Sequence, residues 1–272
     1  MKLAAAFFRM IRWINLFFIL LTQALFYSCL TLPVFNTKGV PPVLTPFLFC
    51  LLSFASVLIA AAGYIINDYF DLNIDRVNKP EKLVVDKIIR RRWAILWHFL
   101  FSLAGVGLSL YVAFCIPDWH SFLVAFINII CVAALWMYST IYKRRLLIGN
   151  ILISLLTAWS VFVIYLVNLK SWYLVKYLFK NDYNQACTRL FKFAVLYAAF
   201  AYIISMVREV IKDIEDMEGD AKYGCRTMPI AWGVRSTKVF IVVWLIVLLA
   251  MLVVIQVYAF QLGWWQIGRA HV

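Results

Sequence analysis

LTPFLFCLLSFASVLIAAAGYIINDYFDLNID, Leu44 to Asp75, decides the class of this protein. From Leu44 to Ile66 the stretch carries no charge, and as a helix it is long enough to cross about 30 Å of hydrocarbon. The run then stops abruptly. Asn67, Asp68, Asp71 and Asp75 follow within nine residues, so scarce carboxylates gather at the mouth of a membrane helix.

The rest of the chain agrees with that reading. Of its 272 residues 65% are hydrophobic and only 14% charged, with a mean hydropathy of +0.88. So few charges could not cover the surface of a soluble domain of this size. Six further apolar runs cover about 15–34, 93–116, 122–141, 148–169, 193–210 and 239–260. They are continuous rather than alternating, which favours spanning helices over a β-barrel. The expected fold is an all-α polytopic transmembrane bundle with seven countable spans. The segment 170–192 reads as an amphipathic helix on the membrane surface. The six cysteines are scattered and read as small apolar residues.

Charge sets the orientation. Three Lys and Arg precede the first span, seven and three follow spans two and four, and six lie at or after the end of span six from Arg208 onward, together nineteen of 26. That side is read as the cytoplasm of a multi-pass protein of the cell inner membrane. The net charge of +13 therefore points to anionic lipid headgroups and not to nucleic acid.

The acidic residues are more informative still. Eleven of thirteen lie in two segments on the same side, 68–86 and 209–220. Asp68, Asp71 and Asp75 form D-x-x-D-x-x-x-D, and Asp213, Asp216 and Asp220 repeat it in KDIEDMEGD, residues 212–220. On a helix these positions share one face, so each segment presents three carboxylates together. One such segment is explained by a solvated helix end whose acids balance nearby bases. Two with the same spacing point to a bound cation, and all-oxygen ligands suit Mg²⁺ bridging carboxylates to a substrate phosphate. Arg76, Lys79, Lys82, Lys143, Arg144, Arg208, Lys212 and Lys222 flank the two segments. Singly each is an ordinary positive-inside charge; as a set they suit phosphate oxygens.

At NDYFDLNID, KDIEDMEGD and YSTIYKRRLLIGN (138–150) the chain resembles the UbiA superfamily of intramembrane prenyltransferases. The resemblance implies a ring of nine transmembrane helices around a cavity open sideways to lipid and capped on the cytoplasmic side. It implies a single prenyltransferase domain over 1–272. The ending IGRAHV, residues 267–272, matches one reading frame of a common sequencing-adapter oligonucleotide, so a non-native tail and a longer natural chain are expected. DLNIDRVNKPEK (71–82) most resembles the archaeal-type enzymes that alkylate geranylgeranylglyceryl phosphate. The Arg-Pro-rich continuation common in the family is replaced by EKLVVDKIIRRR (81–92), which leaves quinone-ring enzymes acting on 4-hydroxybenzoate or naphthoate as rivals.

The resemblance also implies roles. Asp68, Asp71, Asp75, Asp213, Asp216 and Asp220 would be catalytic and would hold Mg²⁺, with Asn67 beside them. Lys79, Tyr138, Lys143, Arg208 and Lys212 would contact the diphosphate or the acceptor. The donor would be an allylic prenyl diphosphate, geranylgeranyl favoured, and the acceptor a small lipid or aromatic molecule. A divalent-cation transporter would place acids along the spans rather than at one face. A CDP-alcohol phosphotransferase would carry D-G-x-x-A-R, which does not occur. His98 and His120 read as packing and interface residues.

Overall fold

The structure, a computed structural model, describes residues 2–81, 83–169 and 180–261. Lys82 and the tail 267–272 lie outside the described residues. The chain runs through α1 (Lys2–Met10), α2 (Trp13–Phe26), α3 (Leu32–Asn36), α4 (Pro46–Phe70), α5 (Leu72–Asn78) and α6 (Arg91–Cys115). It continues through α7 (Trp119–Thr140), α8 (Ile148–Asn168), α9 (Lys180–Glu215), α10 (Met217–Lys222) and α11 (Met228–Gln261). No β-strand occurs among the described residues. Seven helical segments are long and apolar enough to cross a membrane, in the order expected from the sequence. The chain is an integral membrane protein.

Local chemistry explains the helix ends. Thr45 accepts a hydrogen bond from the Leu48 N–H, and Pro46 follows at the first helical position, where a missing N–H does no harm. Asp118 caps α7 by accepting from the His120 N–H at 3.0 Å. The first span contains Pro33, which lacks a backbone donor, and a π-helical turn over Tyr27–Thr31 precedes it.

Two boundaries differ from the sequence reading. The sixth span covers Asn181–Glu215, so residues 181–192 are not a separate surface helix; residues 170–179 lie outside the described residues. Tyr183, Ala186, Leu190 and Ala194 are buried at helical spacing, while Arg189 and Lys192 are exposed. The segment is amphipathic, as its sequence suggests, but its apolar face joins the bundle core and the helix runs on without a break. A hydropathy average cannot separate the two cases because the exposed charges dilute the window. The seventh span likewise starts early, at Met228, with a kink at Gly233 (φ 81°).

The fold is organised around α4, the most buried of the spans, which touches α2, α6 and α7. The α4–α6 packing relies on small residues. A Cβ at Gly105 would sit 2.8 Å from Ile59 Cγ1 and 3.0 Å from the Ala55 carbonyl oxygen. α8 and α9 form a second tight pair, and α11 packs against α9. The largest core cluster, including Phe26, Phe35, Leu44, Phe49, Leu52, Ile164 and Leu190, lies at the end of the bundle away from the aspartates. That leaves the aspartate end free for a cleft.

Replacing Gly105 by Val should overpack the α4–α6 contact and destabilise by about 1–3 kcal/mol. Thermal unfolding in detergent should show a lowered midpoint. Gly107→Ala, with nothing within 4 Å of the added Cβ, serves as the neutral control.

Candidate active site

The two aspartate segments have the same backbone plan. α4 ends at Phe70 and α5 starts at Leu72, so Asp71 is the residue between a spanning helix and a short one. α9 ends at Glu215 and α10 starts at Met217, so Asp216 occupies the matching place. Hydrogen bonding continues through both breaks. Asp71 N–H donates to Asn67 O and Asp75 N–H to Asp71 O; Asp216 N–H donates to Lys212 O and Asp220 N–H to Asp216 O. The i, i+3, i+7 face therefore survives in each segment.

One side chain joins the two halves. Asn78, at the end of α5, donates from Nδ2 to the Asp216 carbonyl at 2.9 Å and accepts from the Gly219 N–H at 2.7 Å. Position 219 must be Gly for this clasp, since a Cβ there would lie 2.6 Å from the Asn78 amide.

Burial of the acids is severe: Asp71, Asp216 and Asp220 are 3, 7 and 2% exposed. Cations and donors from within these segments and from three other elements answer it. Arg12, between α1 and α2, donates to Asp68 Oδ1 at 2.9 Å and lies over the Tyr64 ring. Lys143, on the turn after α7, pairs with Asp71, which also accepts from Asn67 Nδ2 at 2.6 Å. Lys79 Nζ lies 2.6 Å from Asp216 Oδ1. Asn150 Nδ2 donates to Asp213 Oδ2 at 2.9 Å. Lys212 sits 3.9 Å from the buried Glu209. Asp68, Asp71, Asp75, Lys79, Lys143, Arg208, Lys212 and Asp216 all border one cavity of about 670 Å³. Asp213 and Asp220 do not border that cavity.

The electrostatics follow from burial among like charges. The Asp75 carboxyl is pushed up to about 6, by burial first and by the Asp71 charge next, with Lys143 opposing. Burial likewise raises Asp220, with Asp216 adding to it. For Lys143 burial is the largest single influence and acts to lower the pKa, but the charge and hydrogen bond of Asp71, with Tyr138 and Asp220, together outweigh it and the ammonium is held above its ordinary value.

A second, narrower cavity of about 130 Å³ descends from this site. Tyr138, Asn67, Glu209, Arg12, Arg208 and Lys212 stand at its upper end. Ten residues further along α7 lies Asn128, and eleven along α4 lies Ser56, a depth of about 15 Å. The walls are chiefly apolar, and the floor is closed by hydrogen bonds. Trp159 Nε1 donates to Asn128 Oδ1 at 2.9 Å, and Asn128 Nδ2 donates to Ser109 Oγ at 2.8 Å. Gln23 Nε2 donates to Ser56 Oγ and to the Ser160 carbonyl.

The sequence reading missed Arg12, Asn78, Asn150 and Glu209. Arg12 reads as one more positive-inside charge, and nothing near Asn78 marks it as a clasp. Asn150 ends a quoted motif, and Glu209 counts only as one acid in the second cluster.

The model of the UbiA prenyltransferase family matches residues 24–268. This chain belongs to the UbiA prenyltransferase family. Among UbiA-family relatives, the digeranylgeranylglyceryl phosphate synthase of Thermococcus gammatolerans is 33% identical over 176 residues, 65% of this chain and 54% of that protein. The enzyme of the same name from Methanospirillum hungatei is 30% identical over 190 residues, 70% of this chain and 58% of that protein. The chain thus spans a little over half the length of these curated relatives. A solved structure concerned with digeranylgeranylglyceryl phosphate synthase in membranes superposes with a TM-score of 0.61 at 23% identity, over 92% of this chain and 76% of that one. At that identity it speaks for the UbiA fold.

The residues suit Mg²⁺. The donor set is all oxygen, and the Asp220 Oδ1 and Asn67 Oδ1 atoms are buried without a hydrogen-bond partner. Among the described residues no three acidic, His or Cys side chains converge on one point. Mg²⁺ does not need such a cage, because it binds through one or two carboxylates, waters and substrate phosphates.

Two predictions follow from the clasp and the buried acid. Asn78→Ala and Gly219→Ala should each lower stability by about 1–2 kcal/mol, and the double variant should lose less than their sum. A double-mutant cycle of thermal midpoints measures this, and strict additivity would contradict the clasp. Asp75 holds its proton more tightly folded than unfolded, so its contribution favours the fold at low pH and is lost as pH rises from about 4 to about 6. In cation-free buffer Asp75→Asn should flatten that part of the stability–pH curve.

Proposed function

We propose that this chain transfers a prenyl group, geranylgeranyl favoured, from an allylic diphosphate to geranylgeranylglyceryl phosphate in membrane lipid biosynthesis, with Mg²⁺. The observation that carries this reading is the pair of aspartate faces clasped by Asn78 above an apolar shaft. The names of the relatives support it.

On this reading the shaft takes the prenyl tail and the carboxylate cavity takes the diphosphate. Mg²⁺ held by Asp68, Asp71 and Asp75 on one side and Asp216 on the other, with Asp213 and Asp220 backing the second face from outside the cavity, would offset charge on the diphosphate as its C–O bond breaks. Lys79 and Lys143, which neutralise Asp216 and Asp71, are placed to turn to phosphate oxygens when the donor arrives. Arg12, Arg208 and Lys212 border both cavities, where the donor's head meets its tail. Tyr138 and the apolar walls exclude water from the allylic carbon once the bond has broken. The acceptor's hydroxyl oxygen then forms the new bond to C1 and gives up its proton to the departed diphosphate.

One feature favours a phosphorylated lipid over an aromatic acid as acceptor. The carboxylate cavity extends to Ile204, Ile211, Leu245 and Leu248 on α9 and α11, and also to Arg9 and Arg12. An acceptor with an alkyl chain and an anionic head fits both linings; a small ring needs no apolar side wall. The described helices work as one catalytic unit, and the basic end faces the cytoplasm of the cell inner membrane.

Incubating membranes with labelled geranylgeranyl diphosphate, Mg²⁺ and a panel of acceptors, then weighing the products, tests this. A geranylgeranylglyceryl phosphate adduct is expected. A prenylated aromatic ring would overturn the acceptor, and cation uptake without prenyl transfer would overturn the enzyme. Asp71→Asn and Asp216→Asn should each reduce transfer at least about 10²-fold while leaving the protein inserted and folded. The amides keep the volume and a hydrogen-bond acceptor beside Lys143 and Lys79, whereas alanine would keep neither.

A further inference from the structure

The turn that carries Lys143 to Asp71 has a second side. Tyr142–Arg144 is a single 3₁₀ turn, and Leu147 takes a left-handed conformation (φ 58°) where the chain enters α8. The Arg226 N–H donates to the Arg144 carbonyl at 2.9 Å, tying this turn to the segment between α10 and α11. Arg144, Arg145 and Arg226 then line one concavity of about 690 Å³, with Leu146, Ile230 and Ala231 as its apolar wall. It shares no lining residue with the carboxylate cavity.

This cluster differs in kind from the bases that hold aspartates. Arg12, Lys79 and Lys143 each hold an aspartate, and even the exposed Arg76 pairs with Asp86 at 2.8 Å. Arg144, Arg145 and Arg226 are exposed and make no ion pair among the described residues. Beside them Thr227 is buried, with its Oγ1 lacking a hydrogen-bond partner. Three guanidiniums around one hollow repel one another unless an anion joins them. Their planar donor forks match phosphate oxygens in pairs.

The position says which anion. The hollow lies where α7 ends and α8 and α11 begin, at the basic end of three spans. The exposed Trp232 follows on α11, a residue type that settles at the headgroup level. Below it Val239, Val242, Val243 and Ile246 are exposed, as on a helix that meets acyl chains. A soluble phosphate would use the arginines and gain nothing from Leu146, Ile230 and Ala231. A lipid uses both. We propose that this cleft binds the anionic headgroup of a bilayer phospholipid, with its acyl chains alongside α11. Because Arg144 follows Lys143 on the same short turn, an occupied cleft braces the turn from outside.

The test uses the full chain in nanodiscs of phosphatidylcholine with or without phosphatidylglycerol, followed by native mass spectrometry of retained lipid. Retention of phosphatidylglycerol is expected, weakening about fivefold for each Arg→Gln change at 144, 145 or 226. Arg→Lys at the same positions should weaken it less, since charge stays and the paired donors go. Equal thermal midpoints of all variants in phosphatidylcholine alone establish that they are folded. Equal retention by the wild type and by R144Q/R145Q/R226Q would overturn the proposal. So would an equal loss on R90Q/R91Q/R92Q, which would mean diffuse attraction to the basic face. Displacement of the lipid by millimolar inorganic phosphate would overturn it too, by assigning the cleft to a soluble anion.

Discussion

Repulsion among carboxylates buried near hydrocarbon is the constraint on which the rest of this structure depends. Two unit charges 4 Å apart interact by about 4 kcal/mol at the effective dielectric of a protein surface, and by more inside. The two acidic faces are docked against each other, and three of their acids are almost fully buried. Such a site exists only with counter-charge brought from elsewhere in the chain. It comes from the N-terminus through Arg12, from the end of α5 through Lys79, and from the turn after α7 through Lys143. The paths of these three segments make sense as routes to the aspartates.

The loop between α5 and α6 shows the same logic in apolar form. It is polar at its ends, yet Val84, Val85 and Ile89 are buried against Ala6, Met10 and Ile11 of the N-terminal segment. Leu83, Val84 and Val85 also form part of the cavity wall. The loop thus covers the carboxylates from the basic side, and the lowered water content strengthens every ion pair beneath it. Arg12 adopts a left-handed backbone (φ 52°) where α1 turns into α2, and its pairing with Asp68 supports that conformation.

Two kinds of arginine now stand apart on one face of the molecule. Arg12 is half-buried and paired with Asp68; Arg144, Arg145 and Arg226 are exposed around a hollow without an acid. Identical side chains are split between them by what the fold places within reach. The same holds for Asn78 and Asn150, which both reach the second acidic segment, although neither differs chemically from Asn184 on the exposed face of α9.

The number of spans, their order and the two acidic faces could be read directly from the sequence. Hydrocarbon thickness sets the length of an apolar run, and helix periodicity sets which aspartates share a face; both are local properties of the chain. Family membership followed from the same residues. Local pattern did not reveal that 181–192 joins the sixth span, because its charges sit opposite a buried face that only packing against α8 defines. Nor did it reveal that Asn78 clasps Gly219, 141 positions away, or that Arg12 reaches Asp68. Spacing along one helix decides which carboxylates stand together. Which cations answer them depends on contacts between distant segments, and those exist only once the tertiary fold has closed.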